Sequence, residues 1–333
     1  MHRKTTAPLT LGPAALLLAL TAGCMPGGLL IQAVSTDRAL DETVIYRETA
    51  FAGDKVAVVD VAGVLLNAHE PELFAEGEHP VSLLLEQLDK ARRDSSVRGV
   101  VLRINSPGGT VTASELMHEE VVRFREQSGK PVVAALMDVA ASGGYYVACA
   151  CDEIVAQRST VTGSIGVLLQ TFDLTGTMAK LGVRADAITS GRNKGAGSPF
   201  AKMSPEQRAV FQAMVDEMYD QFVAVVAEGR PELSEERVRA LADGRVYTAA
   251  QALELGLIDR IGTIRDAVAL VKQRAGAERV CLVRYHRPLG YAANYHATAP
   301  QRPGDVNLVK LDVPSLWRWT TPRFLYLWAP GGR

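Results

Sequence analysis

Residues 99–144 read GVVLRINSPGGTVTASELMHEEVVRFREQSGKPVVAALMDVAASGG. The run Gly99–Ile104 is apolar but for Arg103 and rich in β-branched residues, as suits a buried strand. It breaks at Asn105-Ser106-Pro107-Gly108-Gly109, a cluster of turn formers. A helical stretch follows from about Ala113 to Gln127. Pro131–Leu136 is then a further buried strand, which runs into Ala141-Ser142-Gly143-Gly144 and another helix. This alternation predicts an α/β domain with a largely parallel sheet and right-handed crossovers. Such sheets carry their functional groups on loops beyond the carboxyl ends of the strands, where both glycine-bearing loops fall.

The same pattern continues on either side. Val56–Val61 is a buried strand, and Leu84, Leu88 and Ala91 mark one face of a helix that ends before Arg98. Ser204-Pro205-Glu206-Gln207 is a capping box with proline at the first helical position. Behind it, Val210, Met214, Met218, Phe222 and Val225 form a helical stripe. Thr248-Ala249-Ala250-Gln251 caps a shorter helix stopped by Gly256. Each glycine-bearing loop occurs once, so the chain has no internal repeat.

Composition narrows the classes. Of 333 residues, 47% are hydrophobic, enough for one sizeable core with extensions. The 36 lysines and arginines are interspersed with 37 acids, for a net charge of −1. Without a basic stripe, nothing points to nucleic acid. Residues 1–24 have the layout of a secretory signal: Arg3 and Lys4, then the apolar run 9–20 (LTLGPAALLLAL), which is short for a bilayer span. Thr21-Ala22-Gly23-Cys24 resembles a bacterial lipobox, with Cys24 as the residue to be lipidated. An uncleaved anchor is the alternative. Either way the domain is expected to be tethered at the cytoplasmic membrane, facing the extracytoplasmic side. Residues 25–53 read as a tether, 54–275 as the domain, and 276–333 as a proline- and tryptophan-bearing extension strapped onto the domain or a neighbouring subunit.

The chemistry centres on the two glycine loops. Ser142 stands on a sharp strand-to-helix turn, with Gly143 and Gly144 permitting close backbone approach. It suits a nucleophile, with the Gly143 amide facing a developing oxyanion, and it equally suits an ordinary helix N-cap. In the other loop Gly109 can adopt a positive φ and free its amide as a second donor. No histidine occurs between His118 and His286. His118, beside Glu119 and Glu120, is expected to be solvated. A lysine can serve as the base where burial makes its neutral amine accessible, which needs a fall of about three from a free value near 10.4. Lys194, in the loop 189–199 (TSGRNKGAGSP) that leaves an expected strand at Ala185–Ile188, is the candidate, with a solvated surface lysine as the alternative. Ser164, in Thr162-Gly163-Ser164-Ile165-Gly166, either holds that amine or is a turn serine. Cys149, Cys151 and Cys281 read as buried packing, and no cluster has metal-ligand spacing, so no cofactor is expected.

The set NSPGG at 105–109, ASGGYY at 141–146, TGSIGV at 162–167 and SGRNKGAGSP at 190–199 resembles the signal peptide peptidase (protease IV) family. Residues 247–262 (YTAAQALELGLIDRIG) are similar too and belong to the wider fold shared with Clp protease and crotonase. The resemblance spans about residues 54–275. It implies a Clp protease/crotonase-like fold of repeated β-β-α and β-α units around a mostly parallel sheet. It implies Ser142 as nucleophile, Lys194 as base, Ser164 orienting Lys194, and Gly109 with Gly143 as the oxyanion hole. The expected substrates are signal peptides and other unfolded hydrophobic peptides. It further implies a homo-oligomeric ring, such as an octamer, in which Ser142 and Lys194 come from neighbouring chains. Two other readings stand beside it: a crotonase-like acyl-CoA enzyme, and a non-catalytic scaffold of the same fold.

Overall fold

The computed structural model describes residues 39–50, 52–68, 79–286 and 324–328. Its elements begin with strand β1 (Asp41–Arg47), strand β2 (Asp54–Leu65), helix α1 (Pro80–Arg93), strand β3 (Val97–Thr110) and helix α2 (Val111–Ser128). Strand β4 (Val132–Ala141), helix α3 (Gly143–Ala148) and strands β5 (Glu153–Ala156), β6 (Val161–Gly163) and β7 (Leu168–Leu169) follow. Then come helices α4 (Thr175–Lys180), α5 (Pro205–Gly229) and α6 (Glu235–Leu241), strand β8 (Val246–Thr248) and helix α7 (Ala249–Glu254). The series closes with strand β9 (Arg260–Ile261), helix α8 (Ile264–Ala275) and strands β10 (Val280–His286) and β11 (Phe324–Leu327).

The main sheet runs β1-β10-β2-β3-β4-β5-β9, and every neighbour pair in it is parallel except β1 with β10. The central strands have no polar face. Val100, Leu102, Val132 and Ala134 point into one core together with α1 and α2. Val101, Val133 and Ala135 point into the other, under Val268 and Val271 of α8. That two-sided burial is why these strands read as unbroken apolar runs. Each fully buried valine or leucine contributes about 1.5–3 kcal/mol of transfer free energy. At Gly99 a Cβ would lie 2.6 Å from Val271 Cγ1, so the missing side chain lets α8 lie close on β3.

The mostly parallel α/β sheet is as expected. Several local features differ. The sheet recruits β1, β10 and β11 from outside 54–275, because β2 would otherwise be an open parallel edge and β10 covers it. The segment expected as a strand at Ala185–Ile188 has no regular structure and is exposed, with no strand partner to hold it extended. Helix α5 has the anticipated capping box at Ser204 and Gln207, but its stripe is buried only from Phe222 onward. Val210 and Met214, in its first half, are more than two-fifths exposed. Cys149, Cys151 and Cys281 are free and buried, as expected. Among the described residues, no helix is long and apolar enough to cross a membrane. Cys24 and the whole of 1–24 lie outside the described residues.

Candidate active site

The site is assembled at the carboxyl end of β3 and β4. Strand β4 delivers Ser142 with φ 53° and ψ −118°, a conformation that a residue with a Cβ rarely takes. Its surroundings hold it there: the Ser142 amide donates to the Gly163 carbonyl at 2.7 Å, and its own carbonyl accepts from the Tyr146 amide at 2.9 Å. The side chain makes no capping bond to α3. That observation speaks against the cap reading of Ser142. A helix cap would use extended backbone and bond an amide of the first turn; here the turn is strained and the hydroxyl is left uncommitted to the helix. Ser142 is 1% exposed.

Amides converge beside it. A Cβ on Gly143 would stand 3.1 Å from Gly108 Cα and 3.2 Å from the Gly109 nitrogen, so the two glycine loops meet backbone to backbone. Glycine is needed on sterics alone: the same Cβ would lie 2.3 Å from Ser114 Oγ, and one on Gly144 would lie 2.7 Å from the Ser106 carbonyl oxygen. The positive φ expected at Gly109 falls instead on Gly108, at 99°. Ser106 explains the offset. Its hydroxyl donates to the Gly63 carbonyl at 2.7 Å and accepts the Gly108 amide at 3.0 Å, which folds the chain at Gly108 and leaves Gly109 running on as strand. Gly109 is thereby aligned beside Gly143, the pair expected to form the oxyanion hole.

Ser164 is the other described non-glycine residue with a positive φ, at 49°. It directly follows the Gly163 whose carbonyl holds the Ser142 amide, and its own amide donates to the Arg245 carbonyl at 2.8 Å. The structure therefore brings Ser142, Ser164, Gly109 and Gly143 to one place. A cavity of about 460 Å³ opens onto Ser164 and is bounded by Val167, Leu168, Tyr219, Asp243, Leu327 and Trp328.

Lys194 is not brought into this cluster by its own chain. It lies in an exposed turn closed by its amide on the Gly191 carbonyl at 3.0 Å, and its amine makes no hydrogen bond or ion pair among the described residues. The turn is tied instead to the start of α5, through Arg192 with Glu206 at 3.0 Å and Gln207 Nε2 with the Arg192 carbonyl at 3.0 Å. His118 differs from expectation. Its ring packs edge-on to Tyr146 with centroids 5.2 Å apart, and burial, aided by the nearby Arg125 charge, pushes it down to about 4. His286 is remote in sequence and ends β10, where Nε2 meets Thr43 Oγ1 at 2.8 Å. Sequence reasoning also passed over Ser106 and Ser114, whose hydroxyls shape the glycine loops. Neither stands out, because a serine's partners are set by strands far away in the chain. Among the described residues no group of three or more histidine, cysteine or carboxylate side chains could hold a metal ion.

The chain is similar to several known proteins. The profile of peptidase family S49 matches residues 124–278. A signal peptide peptidase-type protein of Enterococcus faecium is 36% identical over 249 residues, covering 74% of this chain and 72% of its own. Protease 4 of Haemophilus influenzae is 37% identical over 222 residues, 66% of this chain and 35% of its own. A chloroplast serine protease of Arabidopsis thaliana is 33% identical over 239 residues, 71% of this chain and 35% of its own. These relatives are proteases and favour that reading over the acyl-CoA enzyme. It belongs to peptidase family S49, the signal peptide peptidase and protease IV family, and is a serine protease on the Clp protease/crotonase-like fold.

Proposed function

We propose that the protein is an endopeptidase with a Ser-Lys dyad that cuts unfolded hydrophobic peptides, including signal peptides, at the extracytoplasmic face of the cytoplasmic membrane. The observation that carries this reading is the strained backbone of Ser142, whose hydroxyl caps nothing while the Gly109 and Gly143 amides stand beside it. Ser142 Oγ attacks the scissile carbonyl and gives its proton to the Lys194 amine. The two amides stabilise the oxyanion, and the proton passes to the leaving amine as the acyl-enzyme forms. Water then releases the acyl group by the reverse route. Ser164 orients the amine, and the cavity at Ser164 is the space through which a lysine would enter.

Lys194 is exposed in one chain, so the reading requires a second copy to supply it. The arm that carries it favours such a contact. Leu181 is 73% exposed and Val183 52%, and Ile188 is fully exposed, apolar area that a neighbouring chain would cover. The working unit is accordingly a homo-oligomeric ring, with an octamer as the expected size, tethered through Cys24. A serine-directed fluorophosphonate should label the protein and leave Ser142→Ala unlabelled. Ser142→Ala and Lys194→Ala chains should each be inactive alone, and co-assembly should restore part of the hydrolysis. An active Lys194→Ala protein would overturn the dyad, and a labelled Ser142→Ala protein would overturn the nucleophile.

A further inference from the structure

The strands that end at the site do not keep one register. From Val100 to Ile104, β3 pairs with β4 residue for residue, and Ile104 stands opposite Leu136. The next pair is Ser106 with Ala140, so β4 takes two more residues than β3 over that stretch. Continued in the first register, Gly109 would fall level with Ala141, ahead of Ser142. After the step it falls level with Gly143, in agreement with the close approach of the Gly143 and Gly109 backbones. A bulge of this kind re-aims the residues that follow it. Strand β2 slips as well: Ala62 stands opposite Asn105 but Val64 opposite Gly108, which gives β3 one extra residue there.

Both slips release backbone groups from the ladder, and side chains take them up. Asn105 Oδ1 accepts the Val139 amide at 3.2 Å, inside the β4 bulge. The buried Thr160 hydroxyl lies 2.5 Å from the Met137 carbonyl and 3.1 Å from that of Leu136, in the same bulge. On the β2 side the ladder skips Gly63, and the fully buried Ser106 hydroxyl donates to its carbonyl while accepting the Gly108 amide. Without these partners the released groups would favour a return to the regular register. Asn105 reaches β4 and Ser106 reaches β2, so one dipeptide fastens both neighbours of β3. The Ser106 backbone also supports the start of α3, since a Cβ on Gly144 would lie 2.7 Å from its carbonyl oxygen.

We infer that Asn105 and Ser106 are positioning residues for peptide hydrolysis: they lock the register step that brings the Gly109 and Gly143 amides level, and so set the spacing of the oxyanion site. This rests on the peptidase reading of Ser142 above. The two residues act through the amides. Negative charge develops on the carbonyl oxygen only in the transition state, so an oxyanion site out of register loses turnover and leaves binding of the peptide chain intact.

The test uses the full chain and dye-labelled casein, an unfolded substrate, with kcat counted per Ser142 site titrated to completion by a fluorophosphonate. Ser106→Ala should lower kcat about 10²-fold and Asn105→Ala about tenfold, each with KM within about twofold of the parent. Asn105→Asp keeps the acceptor oxygen and should recover most of the Asn105→Ala loss. The aldehyde acetyl-Leu-Leu-leucinal forms a tetrahedral adduct with a serine, and its affinity should fall by the same factors as kcat/KM. Hydrogen exchange of the Val139 amide should be at least about tenfold faster in Asn105→Ala than in the parent and slow again in Asn105→Asp. Losses that vanish once sites are counted, a rise in KM with kcat held, or an unchanged aldehyde affinity would overturn the inference. So would an Asn105→Asp protein as impaired as Asn105→Ala. A parent that neither labels nor cleaves would count against Ser142 as nucleophile instead, and exchange at Val139 would still judge whether Asn105 holds the step.

Discussion

Replacing Ser142 by glycine should remove activity and cost the fold almost nothing, whereas the same kind of change at an unstrained buried site should be expensive. At φ 53° and ψ −118° a Cβ crowds its own backbone, and holding it there costs about 1–3 kcal/mol. Glycine relieves that cost. Against it stand about 0.5–1 kcal/mol for glycine's freer unfolded chain and about 0.8 kcal/mol for the buried carbon removed. With the middle of each range the sum is close to zero or slightly stabilising, and no helix amide loses a partner, since the hydroxyl caps none. Ala113 is equally buried but sits in the ordinary first turn of α2. There glycine has no strain to relieve, and Ala113→Gly should cost about 1–2 kcal/mol. Ser142→Ala keeps the Cβ and therefore the strain, so it is the reference for Ser142→Gly. Calorimetry should show the glycine-for-alanine step at 142 melting about 4–8 °C better than the step at 113, on a scale of about 2–4 °C per kcal/mol for a domain of this size. Equal losses at the two positions would refute the claim that the Ser142 turn is strained and held by the Gly163 and Tyr146 bonds.

Three more outcomes can be checked. Gly143→Ala places a Cβ 2.3 Å from Ser114 Oγ and should displace the oxyanion amide, lowering kcat/KM by about 10²-fold; adding Ser114→Ala should recover about tenfold, and an unimpaired single variant would contradict the geometry. The Asp94 carboxyl is pushed up by burial, but bonds from Ser96 and the Lys55 ammonium outweigh this and hold it at about 2, against an ordinary 3.8. Its contribution is therefore full above about 4 and lost as the pH falls towards 2, so urea midpoints of Asp94→Asn and the parent should differ at pH 7 and converge at pH 2. His118, pushed down to about 4 by burial and then by Arg125, is neutral above pH 5; its ring signals should titrate near 4, and His118→Gln should leave the shape of the rate–pH profile unchanged.

The buried parallel sheet was legible because its strands have no polar face: Gly99–Leu102 and Pro131–Leu136 are apolar at consecutive positions, and only a sheet covered on both sides needs that. Capping at Ser204 and Thr248 was legible for the same local reason, a side chain and an amide three residues apart. Ser142, Gly109 and Gly143 could be named because turn chemistry is local as well. What the sequence by itself left open was whether Ser142 sat on an ordinary cap turn, and only the tertiary structure showed a strained turn without a cap bond, held by the Gly163 carbonyl of a strand some twenty residues later. Position of the positive φ at Gly108 depended on Ser106 finding Gly63, a contact across two strands. The full burial of Tyr326 against Tyr146 and Phe222 was beyond any local pattern. Its strand is held between β3 and β7, and that neighbourhood exists only in the folded chain.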